Sequence, residues 1–359
     1  MDLLEQLYTR NPFASKMFIP VYDIPYLYVR FDEMTRRSTE GVILEDIRKD
    51  RLFPFYMLIA PSGSGKSSFL HFLLHESYKS RWPVFPIKVD EFVEETVDAK
   101  QLLRHLLKKV SEQASLFNKL DKKMKQKAQK LMASEFSFTS GEREKLGGKV
   151  TAWLNAIPAI LGIKSEVSAE IESFSQTVLK QDASVDDLIM FVNQLSDLLA
   201  GDAKKVRTMF LIDETDKILD ATSKFSPERA SMFFKKVVPL LSKTKATYLF
   251  VANSQYDTPQ FHKDILESLF DRIIKIPAIE SKEGLRKIVY KRTSAAIGEA
   301  DPKKLWSDEA LEFLFRLYKD RSLRDVMWVC RVAVENAWKE PAAAVDIGHV
   351  KDAALECFA

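Results

Sequence analysis

A glycine-rich loop between an apolar run and a helical pattern constrains this sequence more than any other feature. The run FPFYMLIAP (53–61) predicts a buried parallel strand, and SSFLHFLLHESY (67–78) predicts the helix that follows it. Between them stands SGSG, followed by a lysine and two serines. Glycines let successive backbone N–H groups turn toward one anion, and the helix start adds partial positive charge. The arrangement predicts a cradle for nucleotide phosphates.

The loop fits the phosphate-binding (Walker A) pattern G-x-x-x-x-G-K-[ST], with Ala60 in place of the first glycine. Lys66 is expected to reach the β and γ phosphates, and Ser67 is expected to offer its hydroxyl to Mg²⁺. ATP and Mg²⁺ are therefore the expected cofactors. A chance Ser/Gly turn is the alternative, but the strand–loop–helix context argues against it. The residues assigned to nucleotide binding are Pro61, Ser62, Gly63, Ser64, Gly65, Lys66, Ser67 and Ser68.

A second acidic motif follows the apolar run VRTMFLIDE (206–214). Acids at the carboxyl end of a central parallel strand lie beside the phosphate loop in such sheets. We expect Asp213 to hold Mg²⁺ through water and Glu214 to polarise the attacking water. A solvated acidic turn is the alternative, and Asp216 is interpreted only as a turn or interface acid.

Strand and helix patterns alternate from residue 53 to residue 279, which predicts an α/β fold with helices on both faces of a parallel sheet. After residue 280, four helix-period segments follow one another, which predicts a small all-helical domain. We therefore predict a terminal extension (1–40), an ATPase core (41–280) and a helical lid (281–359). The core contains an inserted, partly basic segment at about 117–183, and IKSEVSAEIESF (163–174) within it predicts a strand or hairpin.

The charge of the inserted region differs from that of the rest of the chain. Residues 100–150 carry 13 Lys and Arg against 5 Asp and Glu, a net of +8, whereas the whole chain is +3. The lysine-rich segment 108–130 is either a contact to the backbone of DNA or RNA or a solvated helix face. The sequence leaves both interpretations open.

Composition excludes several other classes of protein. Cys330 and Cys357 do not form a disulfide framework or a zinc motif, and they fit a reducing cytosol. The apolar run 153–163 is too short for a membrane helix, and the first residues do not resemble a signal peptide. A cytoplasmic protein without a membrane partner is expected.

The motifs together resemble those of the AAA+ ATPases. Gly65-Lys66-Ser67, Asp213-Glu214, Asn253 at the end of the next strand, and RSLRDV (321–326) carry the resemblance from about residue 40 onward, apart from the insertion. It implies an ATPase core, a helical lid, and homo-oligomers with ATP sites between subunits.

The resemblance also implies further catalytic residues. Asn253 would sense the γ-phosphate, Arg324 would be the lid arginine, and Arg272 would act on the site of a neighbouring subunit. Each has a plain alternative: a turn cap for Asn253, a surface cation for Arg324, and an ion pair with Asp271 or a lid acid for Arg272.

Within the AAA+ group, the DETDKI and SLRD segments resemble the initiator-type branch of origin-recognition proteins and transposition-associated ATPases. That branch implies a switch acting on a nucleic-acid process, with a nuclease, transposase or replication factor as client. One departure is that no winged-helix pattern follows the lid. The aromatic N-terminal stretch NPFASKMFIPVYDIPYLYV (11–29) is expected to pack on the nucleotide-binding edge or on a neighbour.

Two other functions remain open on sequence grounds. One is a signalling ATPase similar to the STAND and KAP groups, which gates a partner protein without contacting nucleic acid. The other is phosphate transfer to a small molecule, which the separate lid and the lack of an evident acceptor site disfavour.

Overall fold

The structure is a computed structural model that describes most of the chain outside the insertion. The described residues are 2–13, 19, 23–35, 37–49, 52–79, 84–89, 98–113, 184–200, 207–213, 215, 220–221, 224–225 and 227–359. The predicted insertion, the strand predicted at 163–174, Glu214 and Asp216 lie outside them. The basic segment 108–130 is described only as far as residue 113.

A five-stranded sheet forms the centre of the protein. Its strands are β1 (Phe55–Ala60), β2 (Val84–Val89), β3 (Arg207–Ile212), β6 (Thr247–Asn253) and β7 (Arg272–Lys275). They run parallel in the spatial order β2-β3-β6-β1-β7. Two short strands, β4 (Asp220–Ala221) and β5 (Lys224–Phe225), pair separately and antiparallel.

Helices cover both faces of this sheet and continue beyond it into an all-helical C-terminal region, which confirms the predicted fold class. The N-terminal and core helices are α1 (Leu3–Arg10), α2 (Ile24–Leu27), α3 (Phe31–Met34), α4 (Glu40–Arg48), α5 (Lys66–Lys79), α6 (Ala99–Gln113), α7 (Val185–Ala200), α8 (residues 227–241) and α9 (residues 259–269). The lid helices are α10 (Lys282–Ile297), α11 (Asp308–Asp320), α12 (Leu323–Lys339) and α13 (Ile347–Phe358).

The lid helices begin where side chains can cap them. Ser281, Ser307 and Ser322 each accept a hydrogen bond from the backbone N–H three residues ahead. Asp346 does the same for α13. Such caps satisfy N–H groups that have no partner within the helix. The four helix-period segments predicted after residue 280 correspond to these four observed helices.

Proline is accommodated in α8 by a widened turn. Residues Phe233–Val237 form a π-helical stretch, and the α-helix resumes at Val238–Leu241 with Pro239 near its start. Pro239 donates no N–H and would crowd the preceding turn of a regular helix. The helix therefore changes its pitch ahead of Pro239 and continues beyond the proline.

Alternate residues of β1 face two different cores, as the period of a strand requires. Tyr56, Leu58 and Ala60 face a core shared with α5, the N-terminal helices and the lid. Phe55, Met57 and Ile59 face a second core built from α6, α7, α8 and α9. The first core packs the N-terminal segment and the lid against one face of the sheet. Both therefore lie near the carboxyl end of β1.

Candidate functional site

The loop after β1 has the backbone that its glycines predict. Gly63 and Gly65 have φ values of +71° and +103°, a region that favours glycine strongly. The Lys66 side chain turns back over the loop, and its ammonium donates to the carbonyls of Ala60 (2.8 Å) and Pro61 (3.1 Å). The lysine is therefore held at the mouth of the loop, where a phosphate would replace the carbonyls as its partner.

The loop opens into a cavity of about 960 Å³. Seven consecutive residues of the loop and the first turn of α5, 62–68, line it together with Asp213 from the end of β3 and Arg324 from the start of α12. These elements are distant in sequence and meet only because the sheet and the lid share one core. The structure thus brings together most of the residues that the sequence assigned to phosphates, metal and lid.

The lid contacts the phosphate loop directly. The backbone N–H of Arg324 donates to the carbonyl of Gly63 at 3.2 Å. A β-carbon built on Gly63 would stand 2.6 Å from the Ser322 hydroxyl and 3.3 Å from the β-carbon of Arg324. Ser322 is itself fixed by a capping box with Asp325. Gly63 is therefore required both for the loop conformation and for the approach of the lid.

Replacing Gly63 by alanine is expected to lower nucleotide affinity about tenfold, because the loop and α12 must separate to make room for the methyl group. Gly298→Ala is the matched control, since Gly298 also has a positive φ (+68°) but nothing lies within 4 Å of an added β-carbon. Both variants should lose about 1–3 kcal/mol of unfolding free energy from backbone strain. Calorimetric titration with ADP should separate them, and equal affinities would contradict the contact.

The N-terminal segment closes the cavity from another side. The backbone N–H of Ile19 donates to the Ser68 hydroxyl at 3.1 Å, and the Ile19 carbonyl lies 2.7 Å from Nδ1 of His71. Both partners stand on the first turns of α5. Of the two placements expected for the aromatic stretch, its described residues show packing against α5 and the cavity.

Two arginines fasten this segment to the lid. Arg10 on α1 donates to the carbonyl of Ala296 at 2.9 Å, and Arg292 on α10 donates to the carbonyl of Pro12 at 3.3 Å. Burial lowers the pKa of Arg292 to about 10, so its guanidinium keeps its charge at neutral pH. Both side chains line the cavity, which makes its wall more cationic than the sequence motifs alone predict.

A buried carboxylate shapes the neighbouring wall. Glu40 accepts hydrogen bonds from the Tyr28 hydroxyl and the Phe31 N–H, both at 2.7 Å, and from the Asp32 N–H at 3.1 Å. Burial raises the pKa of the Glu40 carboxyl, while these hydrogen bonds oppose that rise. Glu40 thereby fixes the backbone that presents Tyr28 and Phe31 to the cavity.

Asp213 occupies the position expected of a metal-binding acid. It is buried at the end of β3, and its N–H donates to the carbonyl of Val89 at 2.8 Å. Lys88 on β2 approaches its carboxylate, with Nζ 3.7 Å from Oδ2. Glu214 follows Asp213 in sequence but lies outside the described residues, so its assignment as the base stays a prediction.

Asn253 and Arg272 lie at opposite ends of the parallel strands, Asn253 at a carboxyl end and Arg272 at an amino end. Asn253 ends β6 opposite Ala60, which places its backbone at the start of the phosphate loop. Arg272 begins β7 opposite Tyr56, about 13 Å along the strands from the loop. Its guanidinium lies 3.5 Å from Asp46 and over the Phe53 ring. A role on its own chain's phosphates is thus remote, and action on a neighbouring subunit stays a prediction.

The residues present fit a magnesium nucleotide. The cavity wall carries four cationic side chains for phosphate, those of Arg10, Lys66, Arg292 and Arg324. The Ser67 hydroxyl and the Asp213 carboxylate line the same cavity, and oxygen ligands of this kind suit Mg²⁺. Among the described residues, no group of three or more His, Cys, Asp or Glu side chains could hold a metal alone. A metal here would therefore share its ligands with bound phosphates.

Sequence reasoning missed Arg10, Arg292 and Lys88. Arg10 lies on α1 and Arg292 on α10, and neither belongs to a recognisable local motif. Lys88 lies in an otherwise apolar strand, VFPIKV, where a single lysine is the signal that could have marked it.

None of the helices in the described part of the chain is long and apolar enough to span a membrane. No protein-family model matches the sequence, and no curated protein matches it. Solved structures that are similar to it include two of an archaeal ORC2 protein and one of an insect ORC. Aeropyrum pernix ORC2 in its ADPNP–ADP complexes is 14% identical, with a TM-score of 0.50 over 98% of this chain and 72% of that one.

The other two structures align less closely. The ADP form of Aeropyrum pernix ORC2 is 13% identical, with a TM-score of 0.48 over 95% of this chain and 73% of that one. Drosophila ORC bound to DNA is 14% identical, with a TM-score of 0.45 over 99% and 65%. At such identities the likeness concerns the fold. The sheet order, the loop after β1 and the C-terminal helices, together with the similarity to ORC2, show an α/β fold with a parallel sheet, a P-loop and a helical C-terminal region.

Proposed function

We propose that this protein binds and hydrolyses ATP with Mg²⁺ and works as an oligomerising switch in a nucleic-acid-associated process. The observation that carries the proposal is the single cavity lined by the phosphate loop, Asp213 and Arg324. Phosphoryl transfer needs groups that hold the phosphates, bind the metal and offset the developing charge. The loop, Asp213 and Arg324 supply such groups around one cavity. The A. pernix ORC2 structure of the same fold contains ADPNP and ADP, which supports a nucleotide as the ligand.

The chain's own residues would divide the work as follows. The N–H groups of residues 63–68 and the ammonium of Lys66 would hold the phosphates, and Arg324 would add charge from the lid. Ser67 and Asp213 would hold Mg²⁺, which when bound offsets the phosphate charge. Glu214 would polarise the attacking water, and Asn253 would sense the γ-phosphate.

The contact between the lid and the loop couples ligand binding in the cavity to the position of the lid. Since Arg324 and Gly63 are hydrogen bonded, a ligand that moves the loop or draws on the Arg324 side chain also moves α12. The lid shares one core with the N-terminal segment, so a movement of α12 would also move the rest of the lid and the N-terminal segment. An equilibrium between two positions of the lid responds to a ligand only if the ligand binds one position more tightly than the other.

Assembly is the part of the proposal that ATP should control. We expect ATP to convert the protein into rings or filaments and DNA to stimulate hydrolysis with steep salt dependence, since backbone contacts release counterions. Mass photometry and phosphate release measure the two effects. Arg272→Ala should still bind ATP but hydrolyse it slowly, because its guanidinium would be missing from the neighbour's site.

Three results would each remove one element of this proposal. If the protein stays monomeric in ATP, the proposed ATP-driven assembly is wrong. If DNA does not change the hydrolysis rate, the proposed role in a nucleic-acid process is wrong. A wild-type rate for Arg272→Ala removes the trans role of that arginine.

A further inference from the structure

A buried lysine stands behind the acid that is expected to bind the metal. Lys88 Nζ lies 3.7 Å from Asp213 Oδ2, and the two side chains are only 11% and 5% exposed. An exposed pair such as Lys49–Glu45 has 54% and 62% exposure, which screens its charges. The Lys88–Asp213 pair is much less screened, so its charges act strongly on each other and on their surroundings.

The strand register explains how the lysine reaches the acid. β2 and β3 pair in parallel with Lys88 opposite Leu211 and Val89 opposite Ile212. The Asp213 N–H then extends the ladder to the Val89 carbonyl at 2.8 Å. Asp213 is thereby fixed by the sheet at its backbone and by Lys88 at its carboxylate.

The two side chains differ in what else they meet. Asp213 lines the cavity, whereas Lys88 is not among the described residues that line it. The lysine therefore approaches Asp213 from the sheet side and does not itself line the space that a phosphate would occupy. Burying an ammonium is costly unless it is paired, so the pair is a specific arrangement.

We propose that Lys88 is a positioning residue that serves as the built-in counterion of Asp213, so that the cavity takes a nucleoside diphosphate with little need for a divalent cation. Without this lysine, the Asp213 carboxylate would lose one nearby positive charge and repel the phosphates more strongly. With it, the acid is neutralised before any metal arrives, and Mg²⁺ gains less from binding there. The inference rests on the proposed nucleotide site and extends it to metal dependence.

The test is calorimetric titration of the full chain with ADP, in millimolar Mg²⁺ and in excess EDTA. For Lys88→Met, the ratio of the dissociation constant in EDTA to that in Mg²⁺ should be at least about tenfold larger than for the wild type. Lys88→Arg keeps the cation and should restore the wild-type ratio. Lys109→Met removes another buried lysine, on α6, and should leave the ratio unchanged.

A purely structural role for Lys88 predicts a different result. Both dissociation constants would then shift together, and a ratio within about twofold of the wild type would overturn the inference. In the Asp213→Asn background, Lys88→Met should no longer change the ratio, and a change there would also overturn it. Should Lys88→Met fail to fold, Lys88→Gln is measured in the same way and judged by the same limits. A wild type that binds no ADP under either condition refutes the proposed nucleotide site instead.

Discussion

Lys66→Ala is expected to lower the affinity for ATP and ADP by about 100-fold or more, since a hydrogen-bonded charge on phosphate contributes several kcal/mol. In the structure the Lys66 ammonium donates to two loop carbonyls, Ala60 and Pro61, at the mouth of the cradle. Bound phosphate oxygens would take over those hydrogen bonds with the added attraction of opposite charge. Alanine supplies neither the charge nor the donor.

Calorimetric titration with each nucleotide measures the loss directly. Lys49→Ala is the matched control, because Lys49 is an exposed lysine paired with Glu45 on α4 and should leave affinity unchanged. The two melting curves should be alike without nucleotide, and only the control should be stabilised by adding it. A Lys66→Ala protein that binds ADP within about threefold of the wild type would show that phosphates are held elsewhere.

Glu214→Gln is expected to lower the ATP turnover rate by about 100-fold or more while leaving nucleotide affinity nearly unchanged, because a positioned general base contributes roughly 10²–10⁴-fold. The residues on either side of Glu214 are described and buried. Asp213 lines the cavity, and the Thr215 hydroxyl donates to the Val251 carbonyl on β6. Glutamine keeps the size of the side chain but cannot accept the proton of an attacking water.

Single-turnover phosphate release and ADP titration, run on the same preparation, separate chemistry from binding. Glu228→Gln is the control for the substitution itself, since Glu228 is exposed in the first turn of α8. Wild-type turnover in Glu214→Gln would mean that another group activates the water. Equal losses of affinity and turnover would instead point to a role in holding the nucleotide.

Local patterns were sufficient to predict much of the fold. The strand before the phosphate loop, the helix after it and the four lid helices each have a complete short-range signature of periodicity and caps. Ser322 illustrates this well: its capping box with Asp325 marks the start of α12 in the sequence and in the structure. The loop residues and Arg324 could be predicted to share one site because each belongs to a recognisable sequence motif.

Contacts between distant elements could not be predicted in this way. The Arg10–Ala296 and Arg292–Pro12 hydrogen bonds each join residues separated by 280 positions or more, and neither end has a motif. Lys88 meets Asp213 only because β2 and β3 are neighbours in the sheet, which the sequence order does not state. The position of Arg272 beside the amino end of β1 likewise depends on strand direction and register.

The shared core of the N-terminal segment and the lid has a consequence for how the protein matures during synthesis. The loop at residue 63 meets Ser322 and Arg324, and Arg10 meets Ala296, so the walls of the cavity come from both early and late parts of the chain. A ribosome must therefore release the chain beyond residue 324 before the pocket can close. Until then the apolar surface of α1 lacks its partners α10 and α12, and the nascent protein would need protection from aggregation. Nucleotide would then stabilise the newly completed chain, which links the supply of ligand to the yield of folded protein.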